Sequence, residues 1–187
     1  YRLLPAVRAA AMAEDQLAAA ECAFSELLLS GSTTVVELGF DAEMGDLGDM
    51  ATPRAVGNIA GRLGLRCYLA PRYRSRYWKL GADGAPVYFA YEGDGLPRMR
   101  ACVELLSDID TTHEGRLRAM LAPGQVDTCE PELLRATRRV ADETGYPVQL
   151  HAGQSPSEFR RIWQQHGCTT LEHLANGYFN TLQLNDG

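Results

Sequence analysis

Short runs of apolar and β-branched residues alternate along this chain with longer segments of helical periodicity, and no other feature narrows the fold as far. Leu17, Ala20, Phe24, Leu27 and Leu28 recur at helical spacing over residues 9–30, and Gly31 follows where a helix would stop. TTVVEL (33–38) reads as a strand by its β-branched content. A polar, glycine-rich loop (39–50) leads to a helix over 53–63 closed by Gly64, and LRCYLA (65–70) reads as a second strand. The cycle resumes with a helix over 95–106, a strand over 117–122, a helix over 131–144 ending at Gly145, and a strand VQLH over 148–151.

Ser155 is placed to cap the next helix, with Pro156 at its first position and Glu158 three residues after the cap, the spacing of a capping box. Phe159, Ile162 and Trp163 give that helix one apolar face, and Gly167 ends it. Residues 170–175 are a candidate further turn of helix and 181–184 a candidate strand. Residues 74–91, with Tyr77, Trp78, Tyr88, Phe89 and Tyr91 among glycines and prolines, read as a loop or small hairpin, a covering lid being one use for it.

Strands alternating with helices imply a parallel sheet, as a doubly wound fold or a (β/α) barrel. Side chains alternate along a strand, so Val148 and Leu150 share one face of VQLH while Gln149 and His151 share the other. A doubly wound sheet is covered on both faces and its strands run continuously apolar. This strand does not, and its polar side suits an α/β barrel, where alternate residues point into the interior; five candidate strands are counted in the chain. His151 then stands at the carboxyl end of its strand, the rim that carries chemistry in barrel enzymes. A buried, hydrogen-bonded imidazole is the plain alternative to a metal ligand or base.

Composition sets the limits. With 187 residues, 45% of them hydrophobic, the chain suffices for a single domain over 1–187 with a sizeable core. A net charge of -6 with scattered arginines argues against a nucleic acid or an anionic membrane as partner, because either needs a clustered positive field. A small-molecule partner is expected instead. Cys22, Cys67, Cys102, Cys129 and Cys168 are odd in number and contain no C-x-x-C pair, so a disulfide framework and a zinc knuckle are both disfavoured and a reducing cytoplasm is the expected compartment. No apolar run approaches the roughly 18 residues of a spanning helix.

Four segments, LLLSGSTTVVELG (27–39), LGLRCYLAPRY (63–73), LAPGQVDTCEPELL (121–134) and VQLHAGQSPSEF (148–159) continued by HGCTTLEHLA (166–175), resemble in order and spacing the metal-dependent amidohydrolase superfamily. The likeness is to its branch of cytosine, adenosine-type and triazine deaminases and chlorohydrolases, and within it to hydrolases of carbamate, thiocarbamate and urea-type compounds. The resemblance implies a (β/α)8 TIM barrel, of which this chain supplies about five strands with their helices, in which a divalent metal, usually zinc, activates a water for attack on an sp2 carbon. His151 matches the ligand histidine that ends barrel strand five. The H-x-H pair of strand one would lie before Tyr1 and the aspartate of strand eight after Gly187, so the polypeptide as written is expected to be inactive and to need an oligomer to cover its edge strands.

Departures from the family pattern shape the functional expectation. Gln154 stands where the deaminases carry a glutamate three residues after the ligand histidine, and a neutral amide cannot shuttle a proton. Gly124 and Gln125 follow Pro123 where many relatives read A-P-H-A, and the strand-six histidine position falls near Asn185. The resulting site is His151 as metal ligand, Gln154 orienting substrate or water, and Arg72, Gln125, Asp127 and Asn185 contacting substrate from the rim. Glu37 is left between a pocket role and a structural rim charge, Cys129 is assigned to core or cap, and His166 and His173 to solvated or capping roles. The activity expected is hydrolytic loss of a leaving group from an amide, carbamate, thiocarbamate or activated ring carbon. The alternatives are a deaminase with a relocated proton shuttle and a noncatalytic ligand-binding barrel fragment.

Overall fold

The alternation is realised in a computed structural model that describes residues 13–38, 50–82 and 84–179. Helix α1 (Ala13–Leu29) buries Ala20 and Phe24, four residues apart on one face, and strand β1 (Thr34–Glu37) follows it. Helix α2 (Ala51–Leu63) stops at Gly64, whose φ of 84° is the left-handed conformation that lets its N–H return to the carbonyls of the last turn. Then come β2 (Arg66–Leu69) and the two-residue β3 (Arg72–Tyr73). The aromatic excursion is an antiparallel hairpin of β4 (Arg76–Leu80) and β5 (Pro86–Ala90), with Trp78 opposite Tyr88. Helix α3 (Leu96–Ile109), β6 (Leu117–Ala119), β7 (Ala122–Pro123), α4 (Pro131–Thr144), α5 (Pro156–His166) and α6 (Thr170–Gly177) complete the order.

The chain divides into two compact units. The first holds Tyr1–Arg72 and Arg100–Met120. Its sheet is parallel in the order β1-β2-β6, with Val35 beside Cys67 and Cys67 beside Leu117. Phe24, Val56, Ile59, Ala60, Leu65, Cys67 and Leu117 form a core against which Val35 and Leu63 lie. Glu37 is half-exposed at the end of β1, and His113 points its Nε2 at Asn58 Oδ1, 3.1 Å away.

The second unit holds Tyr73–Met99 and Leu121–Gly187. Tyr73, Leu121, Leu133, Leu134, Glu158 and Ile162 are its largest fully buried side chains. Tyr73 lends its carbonyl to the Gly124 N–H at 2.9 Å and its hydroxyl to a hydrogen bond with Thr137 Oγ1 at 3.0 Å. Among the described residues no helix is long and apolar enough to cross a membrane.

Three expectations are corrected. The strand expected over 117–122 is broken into β6 and β7, because Met120 N–H donates to Leu69 in the first unit while Leu121 N–H donates to Pro147 in the second. VQLH is not a continuous strand but two isolated parallel bridges, Leu121 with Val148 and Gln125 with His151. Four steps on one side match three on the other, so one extra residue is bulged out, and Pro123, with no N–H to donate, is where the ladder fails. Finally, Phe159 and Trp163 are 45% and 53% exposed and stack on each other, so the buried face of α5 is carried by Ile162 and, unexpectedly, Glu158. The described residues do not contain a closed barrel; the second unit holds the two-stranded hairpin and isolated bridges rather than a full sheet.

Candidate functional site

The bulge brings two expected site residues to one place. Residues paired across parallel strands project from the same face, so Gln125 and His151 leave the bridge side by side, held by Val126 N–H to His151 carbonyl (3.1 Å) and His151 N–H to Gly124 carbonyl (3.3 Å). Gln125 is fixed further by the turn Val126–Thr128, where its backbone N–H donates to Thr128 Oγ1 (3.3 Å) and its carbonyl accepts from that hydroxyl (2.9 Å). Its side-chain amide donates to the carbonyl oxygen of Gln154. Thus Gln125, His151 and Gln154 form one polar group, and the half-buried His151 ring makes no hydrogen bond or ion pair among the described residues.

Gln154 is held from behind. Glu158, 1% exposed, accepts the N–H of Gly153 (2.7 Å) and the hydroxyl of Thr170 (3.2 Å) on Oε1, and the N–H of Gln154 (2.9 Å) on Oε2. Ser155 Oγ does accept Glu158 N–H at 3.2 Å, but the carboxylate turns to the loop instead of returning to Ser155, so the expected capping box is only half made. The complete box sits one helix later, where Thr169 and Glu172 cap α6 reciprocally, and the T-x-x-E spacing 169–172 was its signal.

Asp127, in the same turn as Gln125, lies against the hairpin. It is 8% exposed; its Oδ2 accepts the hydroxyl of Tyr88 at 2.5 Å, and Oδ1 is buried without a partner among the described residues. Burial, then the hydrogen bond to Asp127, push the Tyr88 phenol well above its ordinary range. Arg161 lies over the Tyr88 ring at 3.9 Å. Tyr88, Arg161 and Glu158 were not expected site residues; the alternation of the hairpin, which puts Arg76, Trp78, Pro86 and Tyr88 on one face, was the only signal for the first.

Of the other candidates, Arg72 closes the first unit, half-buried, while the rest belong to the second. Asn185 lies outside the described residues. Cys129 is buried and its thiol is pushed up to about 12, chiefly by burial, which makes it a core residue as expected. His166 is exposed, and its ring stacks on that of His173 with 4.0 Å between centroids. A cavity of about 660 Å3 opens beside Val148, Leu150, Leu171, Leu174 and Phe179; it is lined by neither His151 nor Gln154.

A metal needs three or four donors. Among the described residues no group of three or more His, Cys, Asp or Glu is gathered to hold one. The His151 ring, with no hydrogen bond or ion pair among the described residues, has the chemistry of one ligand and not of a complete site.

A family model for the amidohydrolase family matches residues 10–182. The chain belongs to that family. A 5-methylthioadenosine/S-adenosylhomocysteine deaminase of Thermococcus sibiricus is 26% identical over 149 residues, covering 80% of this chain and 30% of the relative. Among solved structures, an adenosine deaminase from Xanthomonas campestris with bound zinc superimposes with a TM-score of 0.68 at 19% identity, covering 92% of this chain and 34% of that one. A mutant atrazine chlorohydrolase from Arthrobacter aurescens, complexed with zinc and atraton, gives a TM-score of 0.67 at 24% identity, covering 90% and 36%. This amidohydrolase chain therefore shares the α/β fold of those barrels and spans about a third of the length of the relatives it matches.

Proposed function

We propose that the intact protein is a cytoplasmic, homo-oligomeric, metal-dependent hydrolase that attacks an sp2 carbon of an amide, carbamate, thiocarbamate or activated ring C–X bond in a small molecule. His151 serves as one ligand to a divalent metal, zinc by preference. When bound, such an ion lowers the pKa of a coordinated water toward neutrality. Support for the metal comes from the unengaged His151 ring and from the zinc named with two structural neighbours.

The observation that carries the hydrolase reading is the amide pair beside His151: Gln125 and Gln154 hydrogen-bond to each other, so the group next to the ligand histidine can orient a substrate or water but cannot carry a proton. Glu158 does not replace the missing carboxylate, since both its oxygens are occupied and it is buried. Gln125, Asp127 and Arg72 are assigned to substrate contacts, and Asn185 to the same role from the segment after Phe179.

Zinc-loaded intact protein, assayed on amides, carbamates and thiocarbamates in parallel with adenosine-like and cytosine-like substrates, tests this. Efficient deamination with the other classes untouched would sink it. A second reading, a deaminase, is favoured by the names of the sequence relatives; it requires that Gln154→Glu raise deamination while leaving metal content unchanged.

A further inference from the structure

Among the described residues, two polar atoms beside the Tyr88 side chain have unfinished hydrogen bonding. Asp127 Oδ1 is buried without a partner although Oδ2 of the same carboxylate is bound by Tyr88. The guanidinium of Arg161 lies on the face of that same phenol, and its Nε is likewise buried and unpartnered. Buried acceptors left unbonded are rare in folded proteins, because water is no longer there to satisfy them.

We propose that Asp127 Oδ1 receives a neutral N–H of the substrate, so that the preferred substrates are secondary or primary amides, carbamates or ureas and N,N-disubstituted analogues, which carry no N–H, are rejected. The inference rests on the hydrolase reading and narrows its substrate class. A carboxylate oxygen accepts and cannot donate, so an anionic or acceptor-only group is repelled there. Amides, carbamates and ureas, the substrates of the hydrolase reading, offer the required donor as a neutral N–H.

The acceptor is also held still. Tyr88 is gripped from both sides, by Asp127 and by Arg161, and the hairpin strand opposite it is tied down by Arg76 to Glu130 at 2.6 Å. Glu158, the other carboxylate nearby, is fully engaged and cannot compete for the donor. Oδ1 is shielded from bulk water in this closed arrangement, so the proposal includes the yielding of the Tyr88 and Arg76 contacts as the donor enters, and Trp78, opposite Tyr88, is placed to report it.

The test compares an N-phenyl carbamate ester with its N-methyl-N-phenyl analogue, using the intact zinc-loaded protein. Wild type should favour the N–H member by about 100-fold in kcat/KM, the difference lying in KM, because a site built around a hydrogen bond rejects the analogue that lacks it. Asp127→Ala should raise KM for the N–H member by about 10- to 100-fold and leave the N-methyl member and both kcat values within about threefold, while Tyr88→Phe, which keeps the ring, should give a smaller rise in the same KM. Equal losses on both members, or a fall in kcat at constant KM, would overturn the proposal while leaving the hydrolase reading intact. Should wild type hydrolyse neither, that reading fails, and binding decides the Asp127 claim: in a Trp163→Phe background, phenylurea should change Trp78 fluorescence and fully N-methylated phenylurea should not, with the response lost in Asp127→Ala. Equal responses, or none to either compound, would overturn it.

Discussion

The carboxylate of Glu158 accepts the backbone N–H of Gln154 at 2.9 Å from a position on α5 that is 1% exposed. The loop carrying Gln154 is thus fastened to the helix that follows it, and the same carboxylate takes the N–H of Gly153 and the hydroxyl of Thr170. Hydrogen bonds to a buried charge are worth about 1.5–3 kcal/mol each, and orphaned donors add a desolvation cost. Glu158→Ala should therefore destabilise the protein by roughly 3 kcal/mol or more, and Glu158→Gln, which keeps one acceptor oxygen, by roughly half of that. Urea unfolding measures both; a loss below about 0.5 kcal/mol for the alanine variant would show that the carboxylate is not the fastening.

Gly95 precedes α3 at φ 81°, and a Cβ built on it would lie 2.2 Å from the carbonyl oxygen of Arg74. The position needs glycine twice over, for the left-handed backbone and for the close approach of another backbone that cannot rotate aside. Gly95→Ala should cost about 2–4 kcal/mol, whereas Gly145→Ala, also at positive φ but with open space around its Cβ, should cost about 1 kcal/mol. Thermal unfolding of the two variants side by side checks the difference, and equal losses would contradict it.

What could be read from the sequence was local. Gly64, Gly145 and Gly167 end helices where expected, and Ser155 caps α5 through its hydroxyl, because these signals act within a few residues. The VQLH strand failed as a continuous element because its partner carries Pro123 and one extra residue, a fact of pairing that VQLH itself does not contain. Glu158 was read as a reciprocal cap for the same reason: its three partners are set by the loop and by Thr170, twelve residues on, and only the first of the alternatives is visible in the spacing. The meeting of Gln125 with Gln154 and of Tyr88 with Asp127 depends on contacts 29 and 39 residues apart, which no short window shows.

Thiol reactivity should divide the cysteines by depth. Cys67 and Cys129 are buried and pushed up to about 12 mainly by burial, the Glu37 charge adding to the shift at Cys67, and Cys102 is buried as well. Since the thiolate is the nucleophile, a thiol of pKa about 12 is ionised to roughly one part in ten thousand at pH 8. A disulfide-exchange reagent at that pH should label the exposed Cys22 quickly and Cys168 more slowly, and reach Cys67, Cys102 and Cys129 only after denaturation. Rapid native labelling of Cys129 would contradict its assignment to the core.

The stacked imidazoles of His166 and His173 should make stability fall in mild acid. Burial first, and the neighbouring His166 second, hold His173 below its ordinary 6.5, with Tyr178 edge-on to its ring at 5.2 Å and Arg135 beyond that phenol. A histidine whose folded pKa is depressed binds protons more readily when unfolded, so its contribution to stability is fully present above about 6.5 and is lost as the pH falls below that value toward the folded pKa. Unfolding free energy measured in urea should therefore decline between about pH 7.5 and 5.5, and His173→Gln should flatten part of that decline. Because the ring is only half-buried the slope is modest, and an identical slope in the variant would show that the acid sensitivity comes from other groups.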